Sequence, residues 1–273
     1  MKTVKKLGLI AGSGELPLAI AAEARARGYT VIAVGLEPLA EKALAAAADE
    51  VNWVNVGKLG KIIDTLTKAG IGEAVMAGKV PKSLLYKSRI TPDLRAVKVL
   101  FSLKDRSDDS IMLAITRELE KDGIKLLNTT EFSSGLLTPE GVMTRISPTE
   151  EEWRDIAFGW GIAKEMGRLD IGQTVVVKDK AVMAVEAIEG TDEAIRRGGK
   201  LAGKGAVVVK VSKPQQDMRF DVPVTGMSTV GAMVSVHARV LAVEAGYSIL
   251  LDREKMVADA DRAGMSIVGY RPE

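Results

Sequence analysis

Short apolar runs alternate with helical patterns through the first half of this chain, and the alternation limits the folds that it can adopt. The apolar runs cover residues 6–11, 30–35, 51–56, 73–77 and 124–128, and the helical patterns cover residues 16–27, 62–69 and 110–122. Strands that alternate with helices at this spacing form a parallel, doubly wound sheet of the Rossmann-like kind. Ligands of such sheets bind at the carboxyl ends of the strands. The sequence therefore predicts an α/β domain over residues 1–132.

The second half predicts another α/β domain, separated from the first by a polar, turn-rich linker at 133–140. Its helical patterns cover residues 150–166, 191–201, 228–238 and 254–263, and its strand patterns cover 173–177, 181–188, 206–212, 248–251 and 266–269. Residues 213–227 show no clean periodicity. We expect this second domain, residues 141–273, to be the catalytic one.

The composition excludes several classes of site. The 273 residues include no cysteine and a single histidine, His237, so disulfides, thiolate metal sites, cysteine nucleophiles and multi-histidine metal sites are ruled out within one chain. A metal could still bind through carboxylates and phosphate oxygens, as hard cations prefer. We expect His237 to be a hydrogen-bonded structural residue on the apolar pattern of its helix rather than a catalyst.

Net charge and hydropathy limit the kinds of partner that the protein can bind. The formal net charge is +2, from 38 basic and 36 acidic residues, which provides no global field for nucleic acid. No apolar run approaches the roughly 18 residues of a membrane span. We expect a soluble, cytoplasmic protein that can still touch the surface of a membrane.

Glycine-rich turns follow three of the predicted strands. They contain Gly12-Ser13-Gly14, Gly57-Lys58-Leu59-Gly60 and Gly78-Lys79. Glycine lets a backbone approach a phosphate, and a helix N-terminus offers unpaired amides with a positive dipole end. A dinucleotide fingerprint would need a third glycine where Pro17 stands, and tight structural turns remain the alternative. Three such turns at one sheet edge favour a phosphorylated ligand.

Residues 79–104 combine basic and bulky apolar side chains. The basic residues are Lys79, Lys82, Lys87, Arg89, Arg95, Lys98 and Lys104, with Asp93 as the acidic residue among them. Basic groups beside apolar ones suit an anionic membrane surface or an amphiphilic phosphorylated substrate. The alternative is a helix with one face packed inward and a solvated basic face.

Acidic residues of the second half are the candidates for chemistry. Asp217 and Asp221 lie in the aperiodic segment, where no helix or strand pattern accounts for them, and Asp170, Glu186, Glu189 and Asp192 lie near predicted strand ends or helix starts. Thr191 and Asp192 resemble a capping start for the helix at 191–201. Carboxylates near strand ends can bind Mg²⁺ or Mn²⁺, which bridge to substrate phosphates.

Together these motifs resemble a known family. The strings KLGLIAGSGELP, VGKLGK, AGKVPK, GRLDIGQTVVV, AVEAIEGTDEAI and KPQQDMRFDVPVTGMST are similar to those of the UDP-2,3-diacylglucosamine pyrophosphatases of the cysteine- and histidine-poor, LpxI-like type. The resemblance runs from about residue 6 to residue 269, and EGTDE and KPQQDMRFDVP are its most specific parts. Calcineurin-like phosphoesterases that catalyse the same step need a His/Asp two-metal site, which this sequence cannot supply.

The resemblance implies a Mg²⁺-dependent reaction of lipid A biosynthesis. Water attacks the α-phosphorus of UDP-2,3-diacylglucosamine and gives 2,3-diacylglucosamine 1-phosphate (lipid X) and UMP. It also implies two domains with the lipid nucleotide between them, a homodimer, and transient contact with the inner membrane. Residues 80–104 could form a groove for the two acyl chains.

The resemblance also implies roles for particular residues. The essential aspartate of the family corresponds to Asp221, which could ligate the metal or orient the attacking water. We take Asp217 and Asp192 as further catalytic candidates. The residues expected to contact the substrate are Gly12, Gly14, Gly78, Lys79, Thr191 and Lys213.

Two other functional classes remain open. An NAD(P)-dependent oxidoreductase would use Gly12 and Gly14 for the pyrophosphate and Glu37 for the ribose, although Pro17 and the absence of a persuasive proton-transfer residue argue against it. A non-catalytic nucleotide-binding protein would need the glycine turns but not the acidic segment.

Overall fold

The chain divides into two units. The structure is a computed structural model that describes residues 5–81, 91–103 and 108–272, apart from the side chains of residues 108 and 109. Unit 1 comprises the residues up to Ser133 together with Met218–Phe220, and unit 2 comprises Ser134–Asp217 and the residues from Asp221 onward. The sequence predicts a second domain that is continuous over residues 141–273. The structure differs, because residues 218–220 group with unit 1.

Unit 1 is built on a parallel sheet. Its strands are β1 (Lys6–Ala11), β2 (Thr30–Glu37), β3 (Glu50–Asn55), β4 (Glu73–Ala77) and β5 (Lys125–Leu126). Its helices are α1 (Leu16–Ala26), α2 (Leu44–Ala47), α3 (Leu59–Lys68), α4 (Leu94–Ser102) and α5 (Asp108–Lys121). The strand order β3-β2-β1-β4-β5, with every pairing parallel, confirms the predicted Rossmann-like sheet.

The order of these strands determines where the glycine turns lie. β1 is central and pairs with both β2 and β4, so the chain reverses its direction of winding between β1 and β4. A ligand crevice of a doubly wound sheet opens at such a switch point. The turns after β1 and β4 consequently lie side by side at the carboxyl edge.

A short segment from the second half of the sequence, residues 218–220, also belongs to unit 1. The backbone amide of Thr129 donates to the carbonyl of Met218 over 3.0 Å, and its hydroxyl donates to the carbonyl of Arg219 over 3.1 Å. The ring of Phe220 packs on the core that contains Ile63 and Leu66. Residues 218–220 are thus anchored by both hydrogen bonds and apolar contact.

Unit 2 contains a mixed sheet of order β6-β13-β11-β9-β7-β8 and a small parallel pair, β10 and β12. The strands are β6 (Gly141–Val142), β7 (Thr174–Lys178), β8 (Ala181–Val185), β9 (Val207–Lys210), β10 (Val224–Thr225), β11 (Val240–Glu244), β12 (Ile249–Leu250) and β13 (Ser266–Tyr270). The helices are α6 (Glu150–Arg168), α7 (Thr191–Ala202), α8 (Met227–Ser235) and α9 (Arg253–Arg262). The predicted second α/β fold is confirmed.

Strand β11 is absent from the sequence prediction although it is a central strand. It pairs in parallel with β9 and β13, and all five of its residues are buried. A short, fully buried apolar run has no alternation, so periodicity cannot distinguish it from a continuation of the preceding helix. Because β9 and β11 are parallel, their carboxyl ends lie at the same edge of the sheet.

The expected placement of His237 on the apolar pattern of its helix is wrong. Helix α8 ends at Ser235, and His237 lies beyond it, exposed, with a φ of +53°. The backbone of His237 participates in the turn, since its carbonyl accepts from the amide of Gly205 over 2.9 Å. His237 therefore marks the end of a helix rather than filling its apolar face.

Part of the linker predicted at 133–140 is packed within unit 2. Both the amide and the hydroxyl of Thr138 donate to the carbonyl of Ser248, over 2.8 and 2.9 Å, and Thr138 is buried. Gly269 passes so close to Pro139 that a Cβ there would lie 1.7 Å from the Pro139 carbonyl oxygen. These contacts hold 138–139 against β12 and β13.

Candidate active site

The turns after β1 and β4 bind each other. The amide of Ser13 donates to the carbonyl of Lys79 over 3.0 Å, and the amide of Lys79 donates to the carbonyl of Ser13 over 2.9 Å. The hydroxyl of Ser13 donates to the same Lys79 carbonyl over 2.9 Å. A Cβ on Gly12 would lie 2.8 Å from the Lys79 oxygen, and one on Gly78 would lie 2.7 Å from the Ser13 oxygen. Gly12 and Gly78 are needed for this close approach.

Gly14 and Lys79 differ from these two glycines in being exposed. Gly14 has a φ of +96°, and a Cβ built on it would meet no atom within 4 Å. The Lys79 side chain leaves the same pair of turns toward solvent. The backbone amides of Gly12 and Ser13 already donate within the fold, to Ala77 and Lys79. Gly14 and the Lys79 side chain are exposed at this edge and are therefore available to an anion.

The third glycine turn already holds an anion, which is a side chain of the protein itself. The amide of Gly60 donates to the Asp93 carboxylate over 2.8 Å, and the other oxygen of that carboxylate caps α4 by accepting from Ala96 over 2.9 Å. Asp93 thus joins the start of α3 to the start of α4. The amide of Gly60 serves this internal contact rather than a ligand.

The aperiodic segment 213–227 begins at Lys213. Its ammonium lies 2.6 Å from the Asp170 carboxylate, and its amide donates to the side-chain oxygen of Gln216 over 2.6 Å. The Gln216 amide in turn donates to the carbonyl of Lys213 over 3.0 Å. The structure therefore brings together two candidates from separate parts of the sequence, Asp170 and Lys213, as an ion pair.

Asp217 and Asp221 are one backbone turn apart. The amide of Asp221 donates to the carbonyl of Asp217 over 2.9 Å, and both residues are half-buried. Further along the chain, Val224 accepts a hydrogen bond of 2.8 Å from the ammonium of Lys210, which is 4% exposed. Sequence reasoning missed Lys210, because a lysine at the end of an apolar strand gives no signal of its own.

Thr191 and Asp192 do not cap α7. The cap is Gly190, with a φ of +85° and no side-chain hydrogen bond. The Thr191 hydroxyl donates to Glu186 over 2.9 Å, and Asp192 accepts from the hydroxyl of Thr229 over 2.9 Å. Asp192 is therefore tied to α8, while Thr191 is tied to the end of the β7–β8 hairpin.

The neighbouring Glu189 is held by Arg197. The guanidinium donates to the carboxylate, and this hydrogen bond lowers the pKa of Glu189 from its ordinary value. Glu189 is exposed, so water and salt screen the pair. It remains ionised and engaged with a cation near neutral pH.

A magnesium ion would need few protein ligands here. Throughout the described part of the chain there is no group of three or more acidic or histidine side chains arranged to hold a metal. Mg²⁺ usually binds through one or two carboxylates, with waters and substrate phosphates completing its shell. The half-buried Asp221 and Asp217 of one turn fit that donor set.

The basic and apolar segment at 79–104 is described only in part, since Lys82, Lys87, Arg89 and Lys104 lie outside the described residues. Arg95 does not face outward as a solvated cation, because its guanidinium binds Glu118 over 2.8 Å and also binds Asp122. On the same helix, α4, Leu94 and Phe101 are 81% and 87% exposed. The helix thus presents exposed apolar side chains together with one exposed cation, Lys98.

Among the helices of residues 5–81, 91–103 and 108–272, none combines the length and the apolar character that a bilayer span requires.

Comparison with known protein families gives two matches that together cover nearly the whole chain. The LpxI N-terminal domain matches residues 6–136, and the LpxI C-terminal domain matches residues 139–268. The chain is 34% identical, over 99% of its own length and 99% of the relative's, to the UDP-2,3-diacylglucosamine pyrophosphatase LpxI of Caulobacter vibrioides.

Similarity to solved structures is weak. A putative epimerase from Bacteroides thetaiotaomicron is 22% identical over 45% of this chain and 44% of the other, with a TM-score of 0.26. A phosphoribosylglycinamide synthetase from Anaerococcus prevotii is 17% identical over 63% of this chain and 31% of the other, with a TM-score of 0.27. No functional argument follows from scores this low.

Proposed function

The chain belongs to the LpxI family, and on that premise we propose that it hydrolyses the pyrophosphate of UDP-2,3-diacylglucosamine in lipid A biosynthesis. The products are 2,3-diacylglucosamine 1-phosphate, or lipid X, and UMP. One observation carries the proposal, namely the 34% identity over 99% of both chains with a relative of that name. The proposal makes the protein a phosphoric anhydride hydrolase.

The reaction is a displacement at the α-phosphorus, which bears the uridine. A bond forms between the water oxygen and this phosphorus while the bond from the phosphorus to the bridging oxygen breaks. The bridging oxygen leaves with lipid X, and a proton of the water is released. Catalysis of such a transfer depends on positioning the reactants and stabilising the charge that develops.

We assign the chemistry to the aspartates of unit 2. Asp221 orients the attacking water or ligates Mg²⁺, with Mn²⁺ as a substitute, and Asp217 and Asp192 are the further catalytic candidates. Bound Mg²⁺ would neutralise charge on the leaving phosphate. The half-burial of Asp217 and Asp221 supports this role, because partial exclusion of water strengthens electrostatic interactions.

Substrate contacts are assigned to residues of both units. Gly14 and Lys79 of unit 1 suit a phosphate because one is an exposed glycine and the other an exposed cation of their turns. Gly12 and Gly78 shape those turns through the contacts described above. In unit 2, Thr191 and Lys213 supply a hydroxyl and a cation, and the Lys213 ammonium is oriented by Asp170.

The acyl chains require an apolar surface. The exposed Leu94 and Phe101 of α4 support a lipid contact there, either with the substrate or with the membrane from which it comes. Peripheral attachment to the inner membrane and assembly as a homodimer complete the proposal.

The test is release of UMP from the diacylated UDP-sugar by purified protein. We expect turnover with Mg²⁺ or Mn²⁺, loss of turnover in excess EDTA, and recovery when Mg²⁺ is restored. Product analysis in ¹⁸O-labelled water should place the label in UMP, because the α-phosphorus is attacked. Absence of UMP release with either metal would refute the proposal, and full activity in rigorously metal-free buffer would refute its metal requirement.

A further inference from the structure

A lysine and a glutamate that sequence analysis did not single out form an ion pair in unit 2. The Lys164 ammonium, on α6, lies 2.8 and 2.6 Å from the two carboxylate oxygens of Glu244, the last residue of β11. The side chain of Glu244 is 9% exposed, and that of Lys164 is 25% exposed. Removing two charges from water is costly unless further hydrogen bonds satisfy them.

Those further hydrogen bonds all go to one residue, Ser212. Its amide donates to Glu244 over 2.7 Å, and its hydroxyl donates to the same carboxylate oxygen over 2.8 Å. Its carbonyl accepts from the Lys164 ammonium over 2.9 Å. The ion pair therefore binds both backbone groups of Ser212, the amide through Glu244 and the carbonyl through Lys164.

Ser212 is the residue from which the aperiodic segment departs. β9 ends at Lys210, and Lys213 opens the segment that contains Asp217 and Asp221. Because β9 and β11 are parallel neighbours, the end of β11 places Glu244 beside this point. The pair thus acts at the base of the proposed catalytic segment.

The same helix holds the segment at two more points. The side-chain amide of Gln215 donates to the carbonyl of Gly167 over 2.9 Å, and Asp170, just beyond the helix, binds the Lys213 ammonium. A Cβ on Gly167 would lie 3.1 Å from the Cα of Lys213. The C-terminal part of α6 therefore lies directly against the start of the segment.

We propose that Lys164 and Glu244 are positioning residues for the proposed hydrolysis: they fix the Ser212 peptide and thereby set the direction in which the segment carrying Lys213, Asp217 and Asp221 leaves the sheet. The inference rests on the proposed function of that segment. Neither residue is assigned a contact with substrate. Their effect on turnover is expected to arise through the placement of the aspartates.

The test compares Lys164→Met with the double variant Lys164→Met/Glu244→Gln. The single variant leaves Glu244 buried without its cation, which destabilises the protein. The double variant removes that uncompensated charge, and the new amide can still accept from Ser212. The Ser212 carbonyl, however, lacks its lysine donor in both variants.

We expect kcat for UMP release to fall about 10- to 100-fold in both variants, because a small misplacement of catalytic groups is that costly, and KM to rise by a smaller factor through the displaced Lys213. The melting temperature should fall in the single variant and recover in the double variant, while kcat stays low. If kcat recovers together with the melting temperature, or stays at the wild-type level in both variants, the pair is only a stabilising one and the inference is overturned.

Arg154→Met is the matched control. It removes a long cation from the first turns of the same helix, where Arg154 pairs with Glu150 in a solvent-exposed contact. It should keep the wild-type kcat and melting temperature. A loss equal to that of Lys164→Met would show that any truncated cation on α6 has this effect, which would overturn the assignment.

Hydrogen exchange keeps the inference testable if the protein releases no UMP. In that event the proposed function fails, whereas the amides of Lys213 and Gln216 should still exchange faster in the double variant than in the wild type. Unchanged exchange at both amides would overturn the positioning role whatever the activity.

Discussion

Ser13 and Lys79 exchange two backbone hydrogen bonds, with N···O distances of 3.0 and 2.9 Å, across the carboxyl ends of β1 and β4. This pairing ties together the two turns at the switch point of the parallel sheet. It also uses amides that a phosphate would otherwise attract, so the turns present Gly14 and the Lys79 side chain at their surface.

Gly78→Ala should destabilise the protein more than Gly123→Ala does. Both glycines have positive φ, +88° and +77°, which costs an L-residue roughly 1–2 kcal/mol. A Cβ on Gly123 would meet nothing within 4 Å, whereas one on Gly78 would press on the Ser13 carbonyl. We expect overpacking to add about 1–3 kcal/mol at Gly78, measured by urea unfolding. An equal decrease in the free energy of unfolding for both variants would show that the paired turns accommodate a Cβ at Gly78 without strain.

Asp221→Ala should abolish turnover and preserve substrate binding. Removal of this carboxylate takes away a metal or water contact that is made mainly in the transition state. The loss in kcat should be at least about a hundredfold, measured by UMP release, with binding followed by titration calorimetry.

Asp64→Ala is the control for Asp221→Ala, since Asp64 is an exposed aspartate of α3. It should retain wild-type turnover. If Asp221→Ala stays within a few-fold of the wild-type kcat, the acidic segment is scaffolding and the catalytic assignment moves to Asp192 or Asp170.

Phe101→Asp should raise KM for the diacylated substrate with little effect on kcat. The Phe101 side chain is 87% exposed, so the substitution disturbs no packed core but places a charge on the proposed acyl surface. Leu201→Asp, at the 68% exposed Leu201 of unit 2, is the matched control and should leave KM unchanged. Equal KM values for the two variants would show that α4 does not contact the lipid part of the substrate.

Stability should depend on the ionisation of Glu118. Its hydrogen bonds with Lys121 and then Arg95 lower the pKa of this carboxyl in the folded protein. A lowered folded pKa means that the unfolded chain binds the proton more readily, so stability is lost as pH falls through the folded value. We expect Glu118→Gln to lower Tm by about 2–4 °C at pH 7, which is about 1 kcal/mol for a chain of this size.

The difference in Tm between the wild type and Glu118→Gln should vanish at a pH below the lowered pKa, where the wild-type carboxyl is protonated. Glu193→Gln is the control, since Glu193 pairs with Arg196 at the surface and should change Tm little at any pH. A Tm difference that persists in strong acid would assign the effect of Glu118 to packing.

Much of the fold was predictable because its signals are local. The alternation of apolar runs with helical patterns predicts a parallel sheet, and parallel sheets place their turns at one edge, so the neighbourhood of Gly12–Gly14 and Gly78 followed from the sequence. The resemblance of the motif strings to a family was also carried by the sequence, and the family matches confirm it.

Tertiary structure decided which partner each polar group has. The cation for Glu244 lies 80 residues away, and the acid on the amide of Gly60 lies 33 residues away. Neither pairing leaves a pattern in the nearby sequence, because side-chain hydrogen bonds depend on position in space rather than on spacing along the chain. For the same reason the sequence could place Asp217 and Asp221 in an aperiodic segment, whereas only tertiary packing determines how that segment is held. Its start lies against α6, β9 and β11, and its residues 218–220 are anchored on the core of unit 1.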